Sequence, residues 1–500
     1  MNTSVLSQFV NPAIPDVVKF SSTRTQDSIL THRQTARVSP QSVGPFSSNG
    51  TKQIMFKLQG RNFFDLSALR LQFTLQAGAV DNFIQDGCPI IRSVQIYLNG
   101  SLVESMTSNF SLFQNALYYY SAHDSSFATQ LSRSGFWNNK YCECPKPSDV
   151  FSYFPAVVGP PALNAGVYYT GGTASGATPA KSTGNEGFYT EAFEIPLSLL
   201  GLTRSKKLFP AMLLNQPLQI VIELASKSAA MVQITSNAAN AVIDKPSAVG
   251  NVSDYQILPG TCALLYDTVD CSEEYLAEVF RVANEGSFSF VIDTFDVMTQ
   301  TILGSMNNVV ITNAKMKLKD LYTIFKSNSS PSTQLTDTYS NPLMRRFQLL
   351  CGSAAFPAQA VGGRTSGMDS DILLNQNEVY DQLLISLNEL GNVLAQGIVP
   401  FKNKDNGTCT GATASQTVPA YKICTGNGTT TDTFCGRKFM MGINLEANLD
   451  SLLSGIDSKS AGGVLTLAME LETTPDLSMI TLLHYDRQLV FSKGSMFIAE

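Results

Sequence analysis

The chain has 500 residues, 44% of them hydrophobic and 15% charged, with a formal net charge of −6. The acidic balance argues against a chain whose main business is gripping nucleic acid, and no apolar run approaches the ~20 residues of a membrane-spanning helix. Length beyond one ordinary core points to two units, and charge well below the ~25% usual for soluble proteins implies an outer surface largely covered by other protein.

Residues 1–49 are polar and mostly aperiodic, with Pro12, Pro15, Pro40 and Pro45 and positive charge at Lys19, Arg24, Arg33 and Arg37. This predicts an extended N-terminal arm that no local core orders and a neighbour does. The first unit is expected over 50–270. It opens with Ile54, Met55, Phe56 and Leu58, followed by Leu69, Leu71, Phe73 and Leu75 alternating with Arg70, Gln72 and Thr74, the period of a half-buried strand. Val94, Ile96 and Leu98 run into Asn99-Gly100 and resume at Leu102 and Val103, a strong hairpin signal. Phe110, Leu112, Phe113, Ala116, Leu117 and Tyr120 then share one helical face. A loop over 123–187, rich in Pro and Gly, is of a length that usually has a job or a partner.

A linker is expected over 271–285, where Tyr275, Leu276, Val279 and Phe280 predict one or two helical turns. The second unit, 286–500, begins with Phe288, Phe290 and Ile292, continues through 297–302, and is expected to pair with Val309, Val310, Ile311, Met316 and Leu318. Residues 315–325 fit a helix as well as a strand. Val379, Leu383, Leu384 and Leu387 mark a second helix, and a second polar insertion runs over 394–437.

The order of elements in the first unit returns in the second. Leu218, Ile220, Ile222, Glu223 and Leu224 match Leu465, Leu467, Met469, Glu470 and Leu471. Upstream, Phe193 and Ile195 leading to Leu199-Leu200-Gly201 match Phe439, Met441 and Ile443 leading to Leu452-Leu453-Ser454-Gly455. Downstream, Leu264, Tyr266 and Asp267 match Leu483, Tyr485 and Asp486. Each match is short, and the weight lies in their common order. Many short strands without βα alternation predict an all-β fold: two tandem jelly-roll β-sandwiches with short helices and long loop insertions.

No catalytic constellation emerges. The three histidines are His32 in the arm, His123 at a loop edge and His484 inside a strand, where a hydrogen-bonded structural role is the ordinary one. His123 with Cys142 and Cys144 lacks the C-x₂-C spacing of zinc clusters, and Asp369, Asp371 and Glu378 fail the calcium-loop pattern. Gly362-Gly363, Gly462-Gly463 and Lys206-Lys207 read as turns. Acceptors such as Asn99 and Asn109 follow no secretory-signal pattern, so glycans are not expected; the chain reads as made and assembled inside a cell. The nine cysteines read as reduced, partly buried thiols, with Cys409, Cys424 and Cys435 sharing one loop that an oxidising medium can cross-link. Catalytic, cofactor-binding and metal-binding residues are therefore all expected to be none, and the chain is read as a non-enzyme. A carbohydrate-binding oligomeric double β-sandwich is the alternative, disfavoured by the single Trp137 available for sugar stacking.

The paired segments 193–224 and 439–471, the 90–104 hairpin with Asn99-Gly100, and the long loops before each Phe strand resemble the double jelly-roll major capsid proteins of tailless icosahedral dsDNA viruses. The resemblance is to the adenovirus-like lineage, in its polinton-like virus or virophage type, since the usual opening of the large algal-virus proteins is not seen. It covers nearly the whole chain beyond Asn49 and rests on architecture rather than on a sharp motif. It implies a homotrimeric, pseudo-hexagonal capsomer that tiles an icosahedral virion shell. Its implied partners are neighbouring capsomers, penton and minor capsid proteins, with the arm running beneath the ring to neighbours or an inner membrane, and no direct nucleic-acid contact. Fusing two modules fixes their relative orientation, so a three-fold ring presents six similar edges.

Overall fold

The computed structural model describes residues 30–60, 62–78, 82–84, 88–106, 108–121, 190–205, 207–233, 236–237, 242–243, 252–312, 315–328, 342, 344–362, 369–387, 439–446, 455–459, 464–471, 476–492 and 495–499. In chain order the first half carries β1 (Leu30–Val38), β2 (Phe46–Ser47), β3 (Gln53–Leu58), β4 (Phe63–Ala77), β5 (Asn82–Ile84), β6 (Ile91–Leu98), β7 (Ser101–Met106) and helix α1 (Phe110–Ser121). It continues with β8 (Thr190–Pro196), a helical turn at Gly201–Arg204, β9 (Phe209–Pro210), β10 (Leu218–Leu224), β11 (Met231–Gln233), β12 (Ser236–Asn237), β13 (Val242–Ile243), β14 (Tyr255–Ile257) and β15 (Ala263–Cys271). Helix α2 (Glu273–Glu285) leads to β16 (Phe288–Ile302), β17 (Met306–Ile311), β18 (Leu318–Ser327), β19 (Met344–Cys351), β20 (Ala354–Gly362), α3 (Asp369–Ser386), β21 (Met440–Asn444), β22 (Leu465–Leu471), β23 (Leu477–Ser492) and β24 (Ser495–Ala499).

The strands form two jelly rolls of identical wiring. In the first, a sheet running β1-β15-β4-β8 is paired with a sheet running β3-β10-β6-β7; in the second, β16-β23-β18-β21 is paired with β17-β22-β19-β20. Successive strands pass from one sheet to the other, so each sandwich closes through long-range antiparallel pairs, with hairpins at β6–β7 and β19–β20. The matched strands β10 and β22 each bury Leu, Ile or Met at alternate positions and sit in the interior of their sheets, flanked by β3 and β6 or by β17 and β19. Both copies break register at matching points of the Tyr-Asp strand, beside Leu265 and Asp267 in the first and beside Tyr485 and His484 in the second. Phe73 meets Phe193 across β4 and β8 at 5.6 Å between ring centroids, and Phe325 meets Phe439 at the corresponding place at 6.0 Å.

Three expectations change. Residues 30–49 are not free arm: β1 pairs with β15 from Leu30 to Val38, Ala36 and Val38 pack on the core, and Phe46 is buried. The first sandwich needs this edge strand because its counterpart β16 performs the same task in the second, and polar residues alternating on a sheet edge conceal the period from a sequence reading. The linker holds a 13-residue helix rather than one or two turns. Ser272 caps it by accepting from the Tyr275 N–H, Glu273 and Glu274 favour its N-terminus, and Leu276, Val279 and Ala283 turn inward. Finally, β17 does not pair with β16: β16 lies along β23 and β17 along β22, the sheet-to-sheet crossing a jelly roll requires. Residues 318–327 are strand, because β18 is sandwiched between β21 and β23 and tertiary pairing overrides local ambiguity.

Candidate functional site: the junction between the two sandwiches

The buried apolar residues are continuous across both jelly rolls. Phe209, fully buried at the end of the first sandwich, lies edge-on to Phe290 at 5.6 Å and to Phe491 at 6.3 Å, and Tyr120 of α1 meets Tyr380 of α3 at 6.3 Å. Over this seam lies a set of charged groups that an apolar strand pattern does not announce.

The Gly201–Arg204 turn of the first sandwich rests on β16 of the second. Glu104 of β7 accepts hydrogen bonds from the Gly201 N–H at 2.6 Å and the Leu202 N–H at 3.1 Å, with the Thr294 hydroxyl as a further donor. Burial raises the Glu104 pKa, and these donors oppose the rise. A Cβ on Gly201 would lie 2.7 Å from the Asp293 carbonyl oxygen and 2.7 Å from Glu104 Oε1, so the glycine of the Leu-Leu-Gly turn is what allows this approach. Arg204 reaches Asp293 at 3.3 Å and lies over the Phe295 ring at 4.7 Å; from the other side, Arg487 donates to the Val103 carbonyl.

Beneath Arg204, His484 of β23 stacks on Phe295 with centroids 4.7 Å apart. Its Nδ1 lies 2.8 Å from Asp320 Oδ2, and its Nε2 forms an ion pair with Asp293. Burial works to lower the histidine pKa, but the charge and hydrogen bonds of Asp293 and Asp320 outweigh it and raise it. Burial likewise works to raise Asp293, yet His484, Arg204 and Lys319 hold that carboxyl well below the usual range. Asp320 moves the other way: burial raises it, and His484 only partly offsets this. Lys319 completes the cluster at 2.9 Å from Asp486 and 3.6 Å from Asp293.

The first sandwich carries the same design on an open face. Arg33 of β1 bridges Asp65 of β4 at 2.7 Å and Asp267 of β15 at 2.8 Å, Thr35 donates to Asp267, and Arg70 pairs with Glu194 at 2.9 Å. Asp267 and Asp486 are the residues the sequence match aligns. In the second copy that face is covered by the first sandwich; in the first copy the Arg33 side chain is 56% exposed.

Among the other singled-out residues, His32 is exposed on β1, Lys207 is exposed beyond the Gly201–Arg204 turn, and Glu378 accepts from the Gly362 N–H at 2.8 Å at the end of β20. Asn99 holds the β6–β7 turn with positive φ, and its side-chain oxygen accepts from the Asn215 and Gln216 N–H groups. Cys88, Cys262, Cys271 and Cys351 are buried, burial pushing Cys262 up to about 12. His123, Trp137, Cys142, Cys144, Cys409, Cys424, Cys435, Lys206, Gly363, Gly462, Gly463 and the Leu452-Leu453 pair lie outside the described residues, as do the side chains of Asp369 and Asp371. Among the described residues, no group of three or more His, Cys, Asp or Glu is placed to hold a metal ion, and no helix is long and apolar enough to cross a membrane. Sequence reading missed Glu104, Arg204, Asp293, Lys319 and Asp320. The available signal was charge at inward positions of otherwise apolar strands, as in Leu318-Lys319-Asp320-Leu321.

This wiring defines a double jelly roll. No family model and no curated protein matches the sequence. Solved structures do match in fold. PBCV-1 VP54, as fitted into a cryo-EM reconstruction of the virophage Sputnik, aligns with a TM-score of 0.55 at 8% identity over 96% of this chain and 99% of its own. The Faustovirus major capsid protein aligns with a TM-score of 0.56 at 9% identity over 98% and 96%. The Sputnik virophage structure determined by cryo-EM aligns with a TM-score of 0.51 at 12% identity over 97% and 92%. At these identities the likeness is one of fold: the described strands share the double jelly-roll architecture of these proteins.

Proposed function

We propose that the chain is a major capsid protein whose trimers form pseudo-hexagonal capsomers of an icosahedral virion shell. The observation that carries this reading is coverage: both jelly rolls and their side-by-side fusion align with the Faustovirus major capsid protein over 96% of that chain. A binding module grafted on a common sandwich does not require the second sandwich, its orientation, or the seam between them.

The covered and open faces support the finer reading. Within one chain, the sheet face bearing Asp293, His484 and Asp486 is closed by the preceding sandwich, while the matching face bearing Arg33, Asp65 and Asp267 is open. A contact between unlike surfaces that leaves one of them free continues with a second copy, and closes into a ring when the rotation allows. Two sandwiches per chain and a three-fold ring give a six-sided outline. The low charge of the chain fits a surface that is largely buried after assembly, with penton and minor capsid proteins and neighbouring capsomers as the remaining partners.

The test is size-exclusion chromatography with light scattering on the purified chain, followed by negative-stain microscopy. A mass three times that of the chain and six-sided particles are expected. Arg33→Glu, placed beside Asp65 and Asp267, should shift the population toward monomer without unfolding it. A wild-type monomer at micromolar concentration would overturn the trimer, and a monomer that binds glycans would favour the carbohydrate-binding alternative.

A further inference from the structure

We propose that the junction is a pH-operated clamp, in which doubly protonated His484 holds the first sandwich on the second and its deprotonation in an alkaline medium loosens them. The inference is independent of the capsid reading, since it concerns contacts within one chain.

The geometry carries it. His484 sits with one ring nitrogen on Asp293 of β16 and the other on Asp320 of β18, so both positions call for a donor. Only imidazolium offers two N–H groups; the neutral ring turns a lone pair toward one carboxylate. The ring also forms the floor of a stack, His484 under Phe295 under Arg204, and Arg204 belongs to the first sandwich. Asp293 is therefore shared: His484 and Lys319 hold it from the second sandwich, Arg204 from the first.

The charges facing the ring make its proton count. From β16 comes Asp293; from β18 come Asp320 and Lys319, with Tyr322 alongside; from β23 itself come Asp486 and Arg487; from the helical turn comes Arg204; and from β7 comes Glu104 beyond Thr294. Glu446, after β21, adds negative charge near Lys319. Asp293, Asp320, Asp486, Glu104 and Glu446 thus face Arg204, Lys319 and Arg487, and imidazolium offsets part of the carboxylate excess. Its loss leaves buried negative charge uncompensated, which separation of the sandwiches relieves by admitting water. The raised histidine pKa agrees in direction: the contribution is complete below the ordinary value of 6.5 and fades as pH rises through the higher folded-state value.

Hydrogen exchange of the full chain, corrected for intrinsic rates, tests it over pH 6 to 9 at residues 198–205 and 288–300. Wild type should lose protection there severalfold as pH rises, while His484→Gln should start lower and stay flat. Unchanged wild-type protection, or a His484→Gln profile that falls in parallel with wild type, would overturn the clamp. Should His484→Gln fail to fold, imidazole NMR of the wild type decides, three histidines being few enough to assign. A His484 titration at or below 6.5 would sink the proposal, and one above it, accompanied by the loss of protection, would sustain it.

Discussion

Glu104 shows how a single carboxylate positions one sandwich on another. Its side chain satisfies the Gly201 and Leu202 N–H groups and meets Thr294 across the seam. Glu104→Ala strands two buried donors, each worth about 1–3 kcal/mol, so a loss of roughly 3 kcal/mol and a fall of several degrees in melting temperature are expected. Differential scanning calorimetry checks this, and an unchanged melt would remove the carboxylate from the seam. Asp293 supplies the acid limb of stability. Its folded-state pKa lies below the ordinary value of 3.8, so its contribution is present above that value and is lost as pH falls through the depressed one. Melting temperatures of wild type and Asp293→Asn should therefore differ most above about pH 4 and converge toward pH 2. None of this cluster was legible beforehand, apart from His484 as a satisfied strand residue. Charge inside a strand reports burial only once the partner strand and the covering turn are known.

At the scale of elements, alternation does most of the specifying. Ile222 is fully buried and Val221 points outward on β10. Ile222→Asp should cost more than about 4 kcal/mol and leave the first sandwich unfolded, while Val221→Asp should be tolerated within about 1 kcal/mol. Proteolysis of the two variants separates them, and equal resistance would mean that the strand facing is misassigned. The same periodicity made β4, β6, β7, β10 and β22, helices α1 and α3, and the duplication readable from sequence. It failed at β1, whose outward Arg33, Thr35 and Arg37 hide the inward Ala36 and Val38. Yet the duplication contained the answer: the second copy opens with β16, and its matching strand in the first copy had to precede β3. A chain starting at Leu30 should retain the first sandwich, whereas one starting at Phe46 exposes the edge of β15 and should aggregate. Soluble yield after centrifugation tests the pair, and a soluble, monodisperse protein from Phe46 onward would show that β1 is dispensable.

For the whole molecule, the question is whether two jelly rolls behave as two domains or as one. Strand pairing that closes within each sandwich favours independence, since each has its own paired sheets. The seam favours unity: Phe209 joins Phe290 and Phe491 in one uninterrupted apolar cluster, and above it Arg204 reaches across to Asp293 and Arg487 to the Val103 carbonyl. Separation would expose that apolar surface, take the Thr294 hydroxyl from Glu104 and take Arg204 from Asp293, so unfolding of either sandwich destabilises the other. The free chain should thus melt in a single cooperative transition, with calorimetric and van't Hoff enthalpies in agreement. Phe209→Ala removes the ring at the centre of the seam at a cost of about 3–5 kcal/mol. Because the loss falls on the coupling as well as on the first sandwich, the variant should split into two transitions, the earlier belonging to the first sandwich. If wild type already melts in two steps, the sandwiches are coupled only by their linker; if Phe209→Ala melts lower but still in one step, coupling resides in the charged groups rather than in the aromatic seam.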